Sequence, residues 1–443
     1  MLALRLTRGS HPAVQLRRLL VAVASAGTGF LLLCTLGYAM GHPDSPAASA
    51  LRLGWCATPL AATVYFAVAV ARTDPATKPR PGLSAIGLGS GRLMAISATT
   101  TALACTLGSM LALLFFLHLR GDLTGMPFDG AAAEFLASDQ PLPLPAALTL
   151  LALVPVIASV AVALVLRPRD IRPASEKGPA RSYGRFGAYG RSGSRETFGT
   201  YGRFGARLRG GGRSETEDGT AEQPEPTPAP DPDPSRPPAP REAPRGLPWG
   251  IAVLAAGLAV EAYASRAKDG GGLSLPGGLA DGPASVLVGW VLTAIGLALA
   301  GPGLTHLCGR LLQSVSPGAL RLLAGRVLME EATRIGRPLG VVCAVASGAF
   351  AMTALYDPNA PSFGPLTTLG GLLVTGCTVA TLLTAALEAK HARADTTAAL
   401  LRLGAPATML RSAAALRAGA LLALFLPLTL LVAELAALPL AGR

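Results

Sequence analysis

Three carboxylates lie in or beside apolar stretches of sequence, where such groups are rare: Glu261, Glu388 and Glu434. An acid so placed serves a proton relay, a counter-ion or a hydrogen bond to a neighbouring helix. A relay needs paired groups near the middle of the run. Glu388 closes its run and Glu434 lies toward the outer end of its own, so the positions favour a hydrogen bond over proton transfer. The six cysteines (Cys34, Cys56, Cys105, Cys308, Cys343 and Cys377) form no CxxC pair and read as small packing residues with free thiols. The five histidines show neither an HExxH pair nor Cys/His ligand spacing, so neither a metal site nor a cofactor is expected. The four lysines, Lys78, Lys177, Lys268 and Lys390, follow no Gly-rich phosphate loop, and no GxxxxGK(S/T) occurs. No set of His, Asp, Ser or Cys converges on one side of the apolar runs, so an enzyme is not expected.

The elements that must position these groups are membrane helices. Hydrophobic residues make up 51% of the 443 and charged residues only 14%, against about 25% charged in a soluble domain. A helix needs roughly 20 apolar residues to cross a bilayer. Nine stretches qualify: Leu19–Met40, Leu53–Ala71, Leu93–Leu117, Leu142–Leu166, Leu247–Ala264, Pro283–Cys308, Pro338–Tyr356, Gly364–Leu387 and Ala418–Leu440. Pro427, Glu434 and Pro439 make the last the weakest of the nine. The fold class is therefore all-α, a polytopic bundle of about nine spans.

Lys and Arg alternate between the connections. The N-terminal tail (Arg5, Arg8, Arg17, Arg18), the second connection (Arg72, Lys78, Arg80, Arg92), the loop after Cys308 (Arg310 to Arg337) and the loop after the eighth span (Lys390 to Arg417) all fall on one side. The positive-inside rule makes that side cytoplasmic. It also accounts for the net charge of +12 without nucleic acid as a partner. The opposite stretch Gly121–Gln140 carries Asp122, Asp129, Glu134 and Asp139 and no Lys or Arg. The connection Arg167–Arg245 repeats Tyr-Gly-Arg-Phe-Gly-Ala at Tyr183–Ala188 and Tyr201–Ala206, then turns acidic and Pro-rich. It cannot bury a core and reads as a disordered cytoplasmic tether. The organisation is thus 1–166 (four spans), 167–246 (linker), 247–308 (two central spans) and 309–443 (three spans).

The two ends of the chain repeat each other. Leu2-Ala3-Leu4-Arg5 precedes Ala22-Val23-Ala24-Ser25, and Leu323-Ala324-Gly325-Arg326 precedes Ala344-Val345-Ala346-Ser347. Each first span leads into a short outer loop with two prolines, then a returning span, then a Leu-Gly-small triplet before a third span: Leu88-Gly89-Ser90 and Leu403-Gly404-Ala405. Two related three-span units suit a pseudo-twofold transporter core. The runs of small residues, Gly370, Gly371 and Gly376 in span eight and Ser97, Thr99, Thr100, Thr101 and Ser109 in span three, suit close helix packing. A substrate groove along the Thr run is the alternative.

The stretch Ala392–Leu403 reads as a short amphipathic helix with Thr396, Leu400 and Leu403 on one face. Gly404 permits a stop and Pro406 restarts the chain. A helix–Gly–helix on the cytoplasmic surface can pass a push from a soluble partner to spans eight and nine. With Leu400-Leu401-Arg402-Leu403-Gly404-Ala405 and Arg393 upstream, Leu320–Leu440 resembles the FtsX-like permease family, and Met1–Leu117 resembles it more weakly. The resemblance implies a membrane subunit of an ABC transporter without its own ATP site, with a separate cytoplasmic ATPase as partner. It places Arg393, Leu400, Arg402, Leu403, Gly404, Ala405 and Pro406 beside that ATPase, with Leu88, Gly89 and Ser90 as the equivalent segment of the first repeat. The chain differs from the family pattern in four ways. Its Arg sits one residue nearer the Leu-Gly pair. Thr396 stands where an acid is common. The two outer loops are only about ten residues long, near the usual short-connection range. A fourth span does not follow the third in the second repeat. An additional extracytoplasmic subunit, or handling of the substrate within the membrane plane, would meet the third difference. An ion-coupled carrier using Glu261 or Glu434, or a non-transporting membrane scaffold, are the rival classes.

Overall fold

The computed structural model describes residues 12–74, 90–123, 130–167, 244, 246–266, 272–273, 282–314, 318–354 and 364–441. The tether and its repeats, and Leu88 and Gly89, lie outside the described residues. The rest belongs to one unit, Met1–Pro168 with Arg241–Arg443.

The helices are α1 (Pro12–Gly41), α2 (Pro46–Trp55), α3 (Ala57–Thr73), α4 (Ser90–Arg120), α5 (Leu144–Leu166), α6 (Leu247–Arg266), α7 (Ala284–Ser314), α8 (Ala319–Ala354), α9 (Pro365–Ala392), α10 (Ala394–Arg402) and α11 (Ala407–Ala441). Among the described residues the β structure is a two-residue antiparallel pairing of Gly272–Leu273 with Gly282–Pro283. Several starts follow from local chemistry. Pro46, Pro145 and Pro365 fall in the first helical turn, where a missing N–H costs nothing. Pro155, Pro302 and Pro338 lie inside helices, and neighbouring helices in a bundle tolerate such breaks in the hydrogen-bond ladder.

Among the described residues eight helical segments are long and apolar enough to cross a membrane: α1, the α2–α3 pair, α4, α5, α7, α8, α9 and α11. The ninth expected span is α6, apolar over the shorter stretch Leu247–Tyr263. Large apolar side chains face outward along these helices, with Leu107, Leu164 and Leu372 each 65% exposed or more. Such a perimeter is stable only against lipid. The chain is a multi-pass α-helical membrane protein.

Three boundaries differ from the sequence reading. The second span is broken at Cys56 into α2 and α3. The connection before span seven is largely helical, because α7 and α8 run on to Ser314 and from Ala319 as a long hairpin. The ninth span continues unbroken through Pro427 and Glu434 to Ala441.

Helices α1, α3, α4 and α5 form one bundle, and α6, α7 and α8 a tightly packed layer carrying α9 and α11 on α8. Contacts of α9 with α3 and α1 join the two. Glycine sets the close approaches in the layer: a Cβ on Gly301 of α7 would lie 2.1 Å from Gly336 O of α8, and one on Gly289 2.3 Å from Glu261 Cγ of α6.

Two helix pairs pack alike. Helix α1 lies on α4 as α8 lies on α11, and the matched serines make matched bonds. Ser25 Oγ donates to Cys105 O at 2.8 Å, and Ser347 Oγ donates to Thr429 O at 3.0 Å. Both serines are almost fully buried. Thr63 of α3 and Cys377 of α9, on the two second spans, approach to 3.9 Å. The Leu-Gly triplets stand at different distances from the two acceptors, so the repeats are in register in their first spans and not at the triplets. Removing either hydroxyl should cost about 0.5–1 kcal/mol, the scale of one interhelical hydrogen bond in a membrane. Ser25→Ala and Ser347→Ala should lower the melting temperature in detergent by similar small amounts and add in the double variant.

Candidate functional site

Helix α10 occupies the corner between α9 and α11, at the end of the bundle where α8 begins. Its sequence ADTTAALLR alternates apolar and polar residues at helical spacing. Thr397 and Leu400 are half-buried, whereas Thr396, Leu401 and Arg402 are exposed. The inward face therefore runs through Arg393, Thr397 and Leu400. Thr396 turns away, and its hydroxyl donates to Arg393 O. Leu403, placed by spacing on the inner face, instead ends the helix 84% exposed. No residue of α10 is fully buried.

The stop is set by Gly404. Gly404 N–H donates to Leu401 O and Ala405 N–H to Leu400 O, the paired bonds of a Schellman motif. That motif needs a left-handed residue, and Gly404 has φ +87°. No atom lies within 4 Å of where its Cβ would be. Pro406 precedes α11 and accepts from Met409 N–H. Of the sequence-predicted residues, Arg393, Leu400, Arg402, Leu403, Gly404, Ala405 and Pro406 thus form one continuous corner. Ser90 is the first residue of α4, far from that corner in sequence and outside it.

The corner is fastened to the bundle by a charge. Arg393 caps the end of α9, and its Nε lies 2.7 Å from Glu331 Oε1 of α8. Glu331 is 9% exposed in its side chain and Arg393 29%. The same Nε also donates to Ala389 O. Arg417 of α11 and Arg334 of α8 lie close enough to Glu331 to act on its charge. Three helices therefore meet on one carboxylate. The first repeat holds a counterpart of opposite polarity: Arg18 of α1 pairs with Asp74, which caps α3. Sequence reading did not single out Glu331. The signal was there, since Glu330 and Glu331 are the only acids in a connection otherwise rich in Arg.

The intramembrane acids separate into two cases. Glu261 is 0% exposed, and Thr293 Oγ1 of α7 donates to its Oε1 at 3.1 Å, while Oε2 has no partner. Glu434 is exposed on α11. The two do not bond each other. The Thr run bonds largely within its own helix. Thr100 and Thr101 both return their hydroxyls to Ser97 O. The cavity beside them, between α1, α3 and α4, measures about 20 Å³, enough for roughly one water. Among the described residues no group of three or more His, Cys, Asp or Glu is placed to hold a metal.

No protein family, curated protein or solved structure matches this chain.

Proposed function

We propose that the chain is the membrane-spanning permease subunit of an ABC-type transporter, moved by a separate cytoplasmic ATPase that grips the α10 corner. One observation carries this reading. An amphipathic helix at the end of the bundle, rigidly stopped at Gly404, presents Leu401 and Leu403 outward while its base is fastened by Arg393 to Glu331 of α8. In this reading Leu401 and Leu403 enter an apolar pocket of the partner. A push on α10 reaches α8, α9 and α11 together, because the Glu331 cluster joins all three. The positive-inside count puts this corner in the cytoplasm, where an ATPase would be. In this reading the chain hydrolyses nothing itself and works as part of a plasma-membrane complex.

Purification from detergent tests the assignment. An ATPase should accompany the wild-type chain and be lost from Gly404→Trp, whose Cβ meets no atom within 4 Å but whose left-handed backbone is strained. Retention of the ATPase by that variant would remove the corner as the contact.

A second reading, an ion-coupled carrier, draws on Glu261, an acid with no exposure to solvent and one oxygen without a partner. It requires that Glu261→Gln abolish transport with no ATPase present. The ABC reading requires that the same variant transport normally, since an amide can still accept from Thr293.

A further inference from the structure

At the end of the bundle opposite α10, Arg120 closes α4 with its side chain 2% exposed. Its Nη2 donates to Ala137 O at 3.1 Å and to Gln140 O. These bonds hold the turn in which Ala137 takes φ +51°, a conformation disfavoured for a residue with a Cβ. Nε faces Asp122 Oδ2 at 3.5 Å without a hydrogen bond, and Nη1 has no acceptor. A buried guanidinium that is ion-paired to Asp122 yet makes no hydrogen bond at two nitrogens keeps the capacity for a further acceptor.

Arg120 forms the wall of an open cleft of about 380 Å³, whose polar rim is Asp122, Ser138, Asp139 and Gln140. One cation and two carboxylates face this space. A simple anion would satisfy Arg120 and be repelled by both aspartates. A simple cation would leave the guanidinium nitrogens bare. A molecule with an acidic group and an ammonium side by side satisfies all of them. The cleft lies where two membrane spans end, Gly91–Arg120 and Leu144–Leu166. Leu117, Leu142 and Leu144 form its apolar side. Leu144 and Leu148, one turn apart on α5, continue it as an exposed apolar track 58% and 54% accessible.

We propose that this cleft binds the headgroup of a zwitterionic phospholipid, with its phosphate on Arg120, its ammonium on Asp139 and Asp122, and an acyl chain along Leu144 and Leu148. The site is independent of the α10 corner and stands whether or not an ATPase drives the chain.

Native mass spectrometry of the full-length protein, incubated in mixed micelles with phosphatidylethanolamine or phosphatidylglycerol, tests it. The ethanolamine lipid should be retained about tenfold better than the glycerol lipid, roughly 1.4 kcal/mol. Asp139→Asn should level the two, and Arg120→Gln should lose both. Arg120→Gln also frees the Ala137 and Gln140 carbonyls and can disturb the turn. Asp139 is exposed and outside those bonds, so its variant keeps the test sharp if Arg120→Gln misfolds. Equal retention of the two lipids, or an unchanged preference in a folded Asp139→Asn protein, would overturn the proposal. Capture of soluble phosphoethanolamine with no retention of the lipid would overturn the membrane as the source.

Discussion

Replacing Leu403 by Asp should strip the ATPase from the purified complex while leaving the melting temperature of the chain unchanged. Leu403 is 84% exposed and supports no core, so the substitution removes nothing from the fold. Surface changes of this kind stay within about 0.5 kcal/mol of wild type. At the contact the effect is large. An apolar anchor exchanged for a charge loses its buried area and sets an unpaired carboxylate against the partner, at a cost of about 2–4 kcal/mol, or roughly 30- to 1,000-fold in affinity. Leu401→Asp should act in the same direction and more weakly, since Leu401 is only 48% exposed. Surface plasmon resonance with the co-purifying ATPase, alongside a melting curve of each variant, separates the two quantities. Unaltered ATPase binding by Leu403→Asp would sink the corner as a docking point. A fall in both binding and melting temperature would mean that Leu403 packs within the chain.

The membrane character of this chain is legible because its signal is redundant. Most spans repeat the same message over about twenty residues, and the shortest stretch, from Leu247, is the one that falls short of a spanning helix. Ends are less legible for a physical reason. Helices α7 and α8 run past the apolar stretches into Arg-bearing sequence, because two antiparallel helices keep supporting each other after lipid has ended. Span α11 ignores Pro427 and Glu434 for a related reason: a membrane helix has no water to receive its freed backbone groups, so breaking it costs more than keeping a defect. The Gly404 stop could be read because only a few residue types tolerate a left-handed backbone. The inward face of α10 was misjudged by one position, and Leu403 with it. Spacing alone cannot say which half of a short amphipathic helix meets the bundle. Glu331 is not legible in the sequence, since two adjacent acids in a basic loop carry no pattern until one is seen to pair with Arg393, 62 positions on. The letters Ala-Val-Ala-Ser recur in the sequence, and each of the two serines bonds the backbone of another apolar helix.

Reversing the Glu331–Arg393 pair separates a fastening role from a merely tolerated charge. Glu331→Ala leaves Arg393 half-enclosed without its carboxylate and brings Arg417 and Arg334 into mutual repulsion. Loss of one partner of a fully buried pair costs about 3–5 kcal/mol. Arg393 keeps 29% of its side-chain surface in contact with solvent, so about 2 kcal/mol is expected here. The melting temperature should fall by several degrees in detergent. Arg393→Glu alone should be worse, because it sets two carboxylates together at the end of α9. The double exchange, Glu331→Arg with Arg393→Glu, should recover only part of the loss, because Arg417 and Arg334 would then face an arginine at position 331. Arg18 with Asp74 already carries the reversed polarity in the same relation of first span to second-span end, and Arg17 beside it donates to Thr73, the neighbour of Asp74. Reversing Arg18 and Asp74 together should likewise recover only part of the loss, because Arg17 would then stand beside an arginine at position 74. If α10 is a lever, coupling is lost in step with the fastening: Glu331→Ala should retain ATPase binding at Leu403 yet uncouple hydrolysis from transport in reconstituted vesicles. Normal coupling by a folded Glu331→Ala protein would show that the push enters the bundle by another route.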